Sequence, residues 1–156
     1  MSRLLLPFLL LLSASATLAG KKYPPGEPQD IKATNVTHTS AVLFWNLPDR
    51  RPHRVSGFQI DVFYDDELIF SNETTEMSLL VTRLTPDRKQ TVNVYALSPE
   101  GRSNYGWTTF STAPLLCDNG SVPFRDDDKA VFCVRYCANH LACVPTAFED
   151  IRICCP

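Results

Sequence analysis

No cysteine precedes Cys117 in this chain of 156 residues, although six follow from that position onward. The long N-terminal stretch is therefore closed to disulfides and to thiolate metal sites. Glycine is scarce, with six residues against twelve prolines, a balance that fits a turn-rich β protein better than a helical one. No long window carries a helical apolar period. There is no basic excess: 15 Lys+Arg stand against 17 Asp+Glu for a net charge of −2, which argues against a general nucleic-acid binder. After the N-terminus no second hydrophobic stretch occurs, so the expected mature chain has no membrane span and no lipid-anchor tail. Gly-x-Ser-x-Gly, a phosphate loop and a paired metal-binding histidine motif are all missing. His38, His53 and His140 are scattered and have no obvious carboxylate partner. Nothing here calls for catalytic residues, a cofactor or a metal, and no Arg-Gly-Asp triplet occurs. At 44% hydrophobic and 21% charged residues, the chain is globular rather than disordered. Its length allows one ordinary domain, or a small domain plus a module.

The N-terminus sets the compartment. Arg3 precedes the apolar run Leu4–Leu12, and Ser13–Gly20 is small and weakly polar. This is the three-part layout of a secretory signal peptide, with cleavage expected after Ala19. The apolar run is too short to span a bilayer, which needs about 20 residues. Residues 1–19 are thus read as the signal peptide and 20–27 as a Pro/Gly-containing linker. The expected location is secreted and extracellular, where disulfides persist. Three sequons agree, at Asn35, Asn72 and Asn119, each a glycosylation candidate.

Between Tyr23 and Pro114, short alternating strand signals recur, separated by turn residues. They fall near Asp30–Val36, Ser40–Asn46, Gly57–Tyr64, Glu67–Ser71, Met77–Thr82, Thr91–Ser98 and Trp107–Ser111. That spacing reads as an all-β sandwich. On the third segment Phe58, Ile60, Val62 and Tyr64 share a face. On the sixth, Val92, Val94 and Ala96 point inward. The stretches Pro28-x-x-Ile31-x-Ala33, Thr39-Ser40-Ala41-Val42-x-Phe44-Trp45, Leu84-Thr85-Pro86 before Val92-x-Val94-x-Ala96, and Pro99-Glu100-Gly101-x-Ser103 resemble a fibronectin type III domain. The resemblance spans about residues 24–114, with the domain itself placed at 28–114, and implies a seven-stranded, immunoglobulin-like sandwich with Trp45 as its core tryptophan. One departure stands out: the family's corner tyrosine, six residues after the Leu84-type leucine, is here Gln90. An amide can make a similar bond while burying less apolar area.

Two loops carry residues that do not serve a core. The segment after the second strand, Leu47–Arg54, holds Arg50, Arg51, His53 and Arg54. The segment after the sixth, Pro99–Tyr105, holds Arg102 and Tyr105. In the fold the resemblance implies, both lie at one end. Arg50, Arg51, Arg54, Arg102 and Tyr105 then form a candidate binding patch, since arginine and tyrosine are favoured interface anchors and loops on a rigid scaffold commonly carry binding. The competing reading is a solvated loop with local ion pairs to Asp49 and Glu100.

Residues 115–156 hold Cys117, Cys133, Cys137, Cys143, Cys154 and Cys155, with gaps of 15, 3, 5, 10 and 0 residues. A segment this short seldom folds on apolar burial alone. An even cysteine count in a secreted chain implies a disulfide framework. Adjacent Cys154 and Cys155 are not expected to bond to each other, and the remaining pairings stay open. Zinc on Cys133, Cys137, His140 and Cys143 has ligand-like spacing, but the oxidising compartment favours disulfides. Asp126-Asp127-Asp128 reads as a solvated charged turn, with no regular cation loop around it. The cysteine pattern resembles lustrin-type cysteine-rich modules of secreted proteins and, more distantly, the whey-acidic-protein inhibitor module.

These readings converge on a secreted, non-enzymatic binding or adhesion protein. The partner expected is an extracellular protein or a sulfated glycan, with no nucleic acid involved. The alternative is a secreted protease inhibitor acting through the cysteine-rich module. A soluble cytokine-receptor-like decoy fits less well. The sandwich lacks early cysteines and has no Trp-Ser-x-Trp-Ser box.

Overall fold

The computed structural model describes residues 23–138, 140–148 and 150–156. The expected signal peptide and residues 20–22 of the expected linker lie outside them. Among the described residues, seven strands build two antiparallel sheets: β1 (Gln29–Thr34), β2 (Ala41–Asn46), β3 (Gly57–Tyr64), β4 (Glu67–Thr74), β5 (Ser78–Val81), β6 (Lys89–Ser98) and β7 (Gly101–Ser111). One sheet has the order β1-β2-β5, the other β4-β3-β6-β7. Their facing surfaces enclose the core.

Strand alternation decides what is buried. On β6, Gln90, Val92, Val94 and Ala96 are fully buried, while Thr91, Asn93 and Tyr95 face outward. On β3, Phe58, Ile60 and Val62 meet them. On β2 the sequence offers apolar residues of both parities. The structure turns Ala41, Leu43 and Trp45 inward and leaves Phe44 44% exposed. Trp45 is 3% exposed and meets Phe58 edge to face at 5.5 Å.

Turn chemistry sets the strand ends. Asp65 and Asp66 both have positive φ, 46° and 65°, and link Tyr64 to its ladder partner Glu67. Left-handed backbone at both turn positions matches the strand twist. The β6–β7 connection is shorter than the sequence suggests. Pro99 and Glu100 form the turn, Ser98 pairs with Gly101, and β7 begins at Gly101 rather than at Trp107. Gly101 has φ 124°, which a side chain would resist. Ser98 Oγ secures the turn by accepting from the Glu100 N–H at 3.2 Å and donating to Gly101 O at 2.9 Å. Arg102 and Tyr105 are therefore strand residues, not loop residues.

At the corner, Gln90 Nε2 donates to Thr85 O over 3.4 Å. The shorter bond comes from Thr112, whose Oγ1 donates to the same carbonyl at 2.8 Å and accepts from the Arg88 N–H at 3.0 Å. Thr112 thus closes the corner that Gln90 reaches only at long range.

The tail follows directly. A hairpin pairs β8 (Arg125–Asp126) with β9 (Lys129–Ala130) through Asp127 and Asp128, both left-handed. A second ladder joins β10 (Ala142–Pro145) to β11 (Arg152–Cys155). Disulfides link Cys117–Cys155, Cys133–Cys143 and Cys137–Cys154. Leu115, Cys117, Ala130, Ile153 and Cys155 form a small core with Val144, Phe148 and Ile151.

The tail docks on the sandwich. Arg88, only 7% exposed, donates to Ala130 O at 2.8 Å, to Asp87 O at 2.9 Å and to Tyr64 Oη at 3.1 Å. Its guanidinium carbon sits 4.1 Å from the centre of the Phe132 ring. Arg125 clasps Asp87 with one nitrogen, at 2.9 and 3.1 Å to its two oxygens. Lys129 Nζ lies 3.0 Å from Asp65. The Lys129 ammonium, by hydrogen bond first, holds Asp65 below the usual carboxylate range. The same bond raises Lys129 above its ordinary value.

Candidate functional site

The two arginine-bearing segments do meet at one end of the sandwich, together with the residues that precede β1. The β2–β3 connection turns on Arg51, whose φ of 55° is left-handed, and continues into a single 3-10 turn, Pro52–Arg54. The Gly26 N–H donates to Arg50 O at 2.9 Å, which straps residues 23–28 alongside this connection. A Cβ on Gly26 would lie 3.2 Å from that of Arg50. The result is a cleft of about 200 Å³ lined by Tyr23, Arg50, Arg51, Arg102, Ser103 and Asn104, with the Pro24–Glu27 backbone along one side.

Each arginine has a distinct setting. Arg50 is exposed on the cleft wall. Arg51 donates to Pro24 O at 3.2 Å and holds its guanidinium 5.5 Å from the Tyr23 ring centre, so it supports the wall. Arg102 sits over Tyr95, its guanidinium carbon 4.1 Å from the ring centre, and donates to Gln59 Oε1 at 3.1 Å. Arg54 does not join them. It pairs with Glu100 at 3.3 Å, and the two side chains are 33% and 15% exposed. For Arg54 the local ion pair considered above is the observed state.

Tyr105 does not line the cleft either. It is paired with Tyr95 across the β6–β7 ladder and meets it edge to face at 5.6 Å. Arg102, Tyr95 and Tyr105 form a row on the outer face of the four-stranded sheet, ending beside Trp107, which is 64% exposed. The reason is the ladder irregularity between Tyr95 and Leu97, where Arg102 and Tyr105 both come to the outer side. Tyr23 was not anticipated. Its only signal is an aromatic residue just before Pro24-Pro25 in an otherwise polar linker. The cleft can hold an anion: it offers cationic forks, an aromatic face and main-chain polar groups on a rigid frame.

The three sequon asparagines are all exposed. Asn35 follows β1, Asn72 lies on edge strand β4, and Asn119 accepts from the Ser121 N–H at 2.9 Å in the tail. The sulfurs of Cys133, Cys137 and Cys154 lie within 4.8 Å of one another, and each is engaged in a disulfide.

Comparison with known proteins gives a consistent result. The model of the fibronectin type III domain matches residues 26–112. The chain is 37% identical over 93 residues to tenascin of Gallus gallus, covering 57% of this chain and 5% of that protein. It is 31% identical over 111 residues to the tyrosine-protein phosphatase Lar of Drosophila melanogaster, covering 65% of this chain and 5% of that protein. The chain thus matches only a small fraction of the length of these relatives. Among solved structures, one described as a myokine superposes with a TM-score of 0.50 at 28% identity, covering 57% of this chain and 98% of that one. A two-sheet all-β sandwich of this topology, matched over most of its length by one family model, gives the assignment: the chain belongs to the fibronectin type III family.

Proposed function

We propose that this is a secreted, glycosylated, non-enzymatic binding protein of the extracellular space, and that the basic end of its sandwich takes an acidic partner. The domain bounds assigned above, 28–114 for the sandwich and 115–156 for the tail, belong to this proposal, as does the tail's kinship to lustrin-type modules. The observation that carries it is the convergence of Arg50, Arg51 and Arg102 with Tyr23 around one cleft in a chain of net charge −2. Concentrating cations there, against the overall sign, favours a carboxylate- or sulfate-bearing surface on an extracellular protein or a sulfated glycan. The relatives named above lend the scaffold and not a ligand, since fold does not fix function.

The test is retention on immobilised heparin across a salt series. Exposed charges are screened over about 8 Å at physiological salt, so retention should fall as salt rises. The double substitution Arg50→Ser and Arg102→Ser should elute at clearly lower salt. The paired substitution Arg54→Ser with Glu100→Gln should elute close to the parent, because those two charges already neutralise each other. Equal elution of the double variant and the parent would reduce the cleft to a solvated loop.

A further inference from the structure

Residues 133–137, Cys133-Val134-Arg135-Tyr136-Cys137, make a small loop on the tail whose three inner residues are all exposed. Val134 and Tyr136 are each 85% exposed, against 64% for Trp107. Single exposed apolar side chains are ordinary. Two of them flanking an arginine, on a loop whose two ends are each held by a disulfide, make a shaped, accessible surface.

Two disulfides fix its ends. Cys133 is bonded to Cys143, and Cys137 to Cys154. Cys143 and Cys154 stand directly opposite each other in the β10–β11 ladder. Both ends of the loop are therefore bolted to facing rungs of one ladder. The Cys133 N–H adds a bond to Arg152 O at 3.0 Å. The conformational entropy of ordering this loop is spent in folding, not in binding.

We propose that Val134-Arg135-Tyr136 is a substrate-like loop that occupies and blocks the cleft of an arginine-selective serine protease, with Arg135 in the enzyme's acidic specificity pocket. Such a pocket has a carboxylate at its base and apolar walls. It complements a guanidinium on an apolar stem, presented between two apolar neighbours. The proposal goes beyond the basic cleft, which lies on the sandwich, and uses none of its residues.

Blocking rather than consumption follows from the staples. In the cleft, the enzyme's serine Oγ attacks the Arg135 carbonyl carbon, and the bond to the Tyr136 nitrogen breaks as that nitrogen takes a proton. Water then releases the acyl group, leaving a carboxylate on Arg135 and an amine on Tyr136. In a free peptide the amine departs. Here Cys137 keeps it tethered to the ladder that also holds Cys133. Its effective concentration beside the acyl carbon stays high, so bond remaking competes with hydrolysis. Reducing the disulfides removes the tether and turns the loop into a plain substrate.

The experiment titrates the secreted, disulfide-intact full chain against trypsin and thrombin, using a small chromogenic substrate, with chymotrypsin to read any contribution from Tyr136. Competitive inhibition of at least one arginine-selective enzyme is expected. Arg135→Ala should weaken it about a hundredfold or more, the size expected for a buried hot-spot side chain. Arg135→Lys should retain most of it where the enzyme also accepts lysine. Intact mass and far-ultraviolet circular dichroism verify that each variant keeps its disulfides and fold. Three results overturn the proposal: no inhibition of either enzyme, inhibition unchanged in Arg135→Ala, or rapid complete scission at Arg135–Tyr136 without inhibition.

Discussion

Trp45 shows how one residue reports on the whole register. It is buried to 3% against Phe58, and a one-residue slip of β2 would move it to solvent. Trp45→Ala should lower stability by roughly 3–5 kcal/mol in urea unfolding, the usual cost of deleting a large buried aromatic. A loss under about 1 kcal/mol would place Trp45 at the surface. Arg88 carries a different cost. Its charge is buried and its donors are met by the carbonyls of Ala130 and Asp87 and by Tyr64. Arg88→Ala leaves the Ala130 carbonyl without that donor and should cost roughly 2–3 kcal/mol, read as a lower thermal midpoint. The neighbouring Asp65–Lys129 pair is solvent-accessible, with side chains 60% and 45% exposed, so its effect is small, but its pH dependence has a definite sign. Asp65 titrates below its ordinary value of 3.8 when folded. Its contribution is present above that value and is lost as pH falls through the folded one. Lys129 titrates above 10.5, so its share is present below that and lost as pH rises through the folded value. The difference in thermal midpoint between parent and Asp65→Asn should be steady at neutral pH and shrink in acid below the ordinary aspartate range. A difference that grows in acid would refute the pairing.

At the scale of an element, β7 is the informative strand. It runs for eleven residues and packs against the segment leading into β1 so closely that a Cβ on Gly106 would fall 2.3 Å from Pro28 O and 2.7 Å from Ile31 Cδ1. Nothing at that distance can stay in place. Gly106→Ala should destabilise the sandwich by about 1–3 kcal/mol through forced backbone movement. It should also raise hydrogen exchange at Gln29, next to Pro28, and at Ile31. Unchanged exchange there would mean that the segment before β1 does not lie on β7. In the sequence Gly106 falls just before the predicted strand Trp107–Ser111 and carries no signal of its own. Only the approach of a second segment gives it a reason.

For the whole molecule, the question is whether sandwich and tail behave as separate bodies. Separateness is the sequence's own expectation, because the sandwich holds no cysteine and the tail depends on its bridges. The docked Arg88, the Asp87–Arg125 clasp and the tilted contact of His38 with Phe148 at 5.0 Å point to coupling. Reductant should unfold the tail and leave the β signal of the sandwich in place, but at a lower thermal midpoint than the oxidised protein. Hydrogen exchange should rise at Asp87 and Arg88 in the same sample. An unchanged midpoint would restore full independence, and collapse of the β signal at ambient temperature would make the two a single cooperative unit.

Local chemistry made much of this protein legible from its residues alone. Alternation of apolar and polar side chains placed β3 and the inward face of β6. Turn residues divided the strands, cysteine clustering located the stapled tail, and the adjacency of Cys154 and Cys155 made a bond between them unexpected. Of the residues expected to share one patch, Arg50, Arg51 and Arg102 line the cleft, whereas Arg54 and Tyr105 do not. What only the tertiary structure decided depended on residues far apart in the chain. Which parity of β2 faces inward is set by what β3 and β6 present to it. Arg54 is drawn to Glu100, across two connections, and leaves the cleft. Tyr105 goes to the outer face because of an irregularity in a ladder that neither strand reveals alone. Tyr23 enters the site only because Gly26 binds Arg50. The disulfide pairing was open in the spacing; in the fold Cys143 stands against Cys154, and their bonds to Cys133 and Cys137 hold those two side by side. Periodicity is written within a segment, whereas partners of this kind are chosen by the geometry between segments.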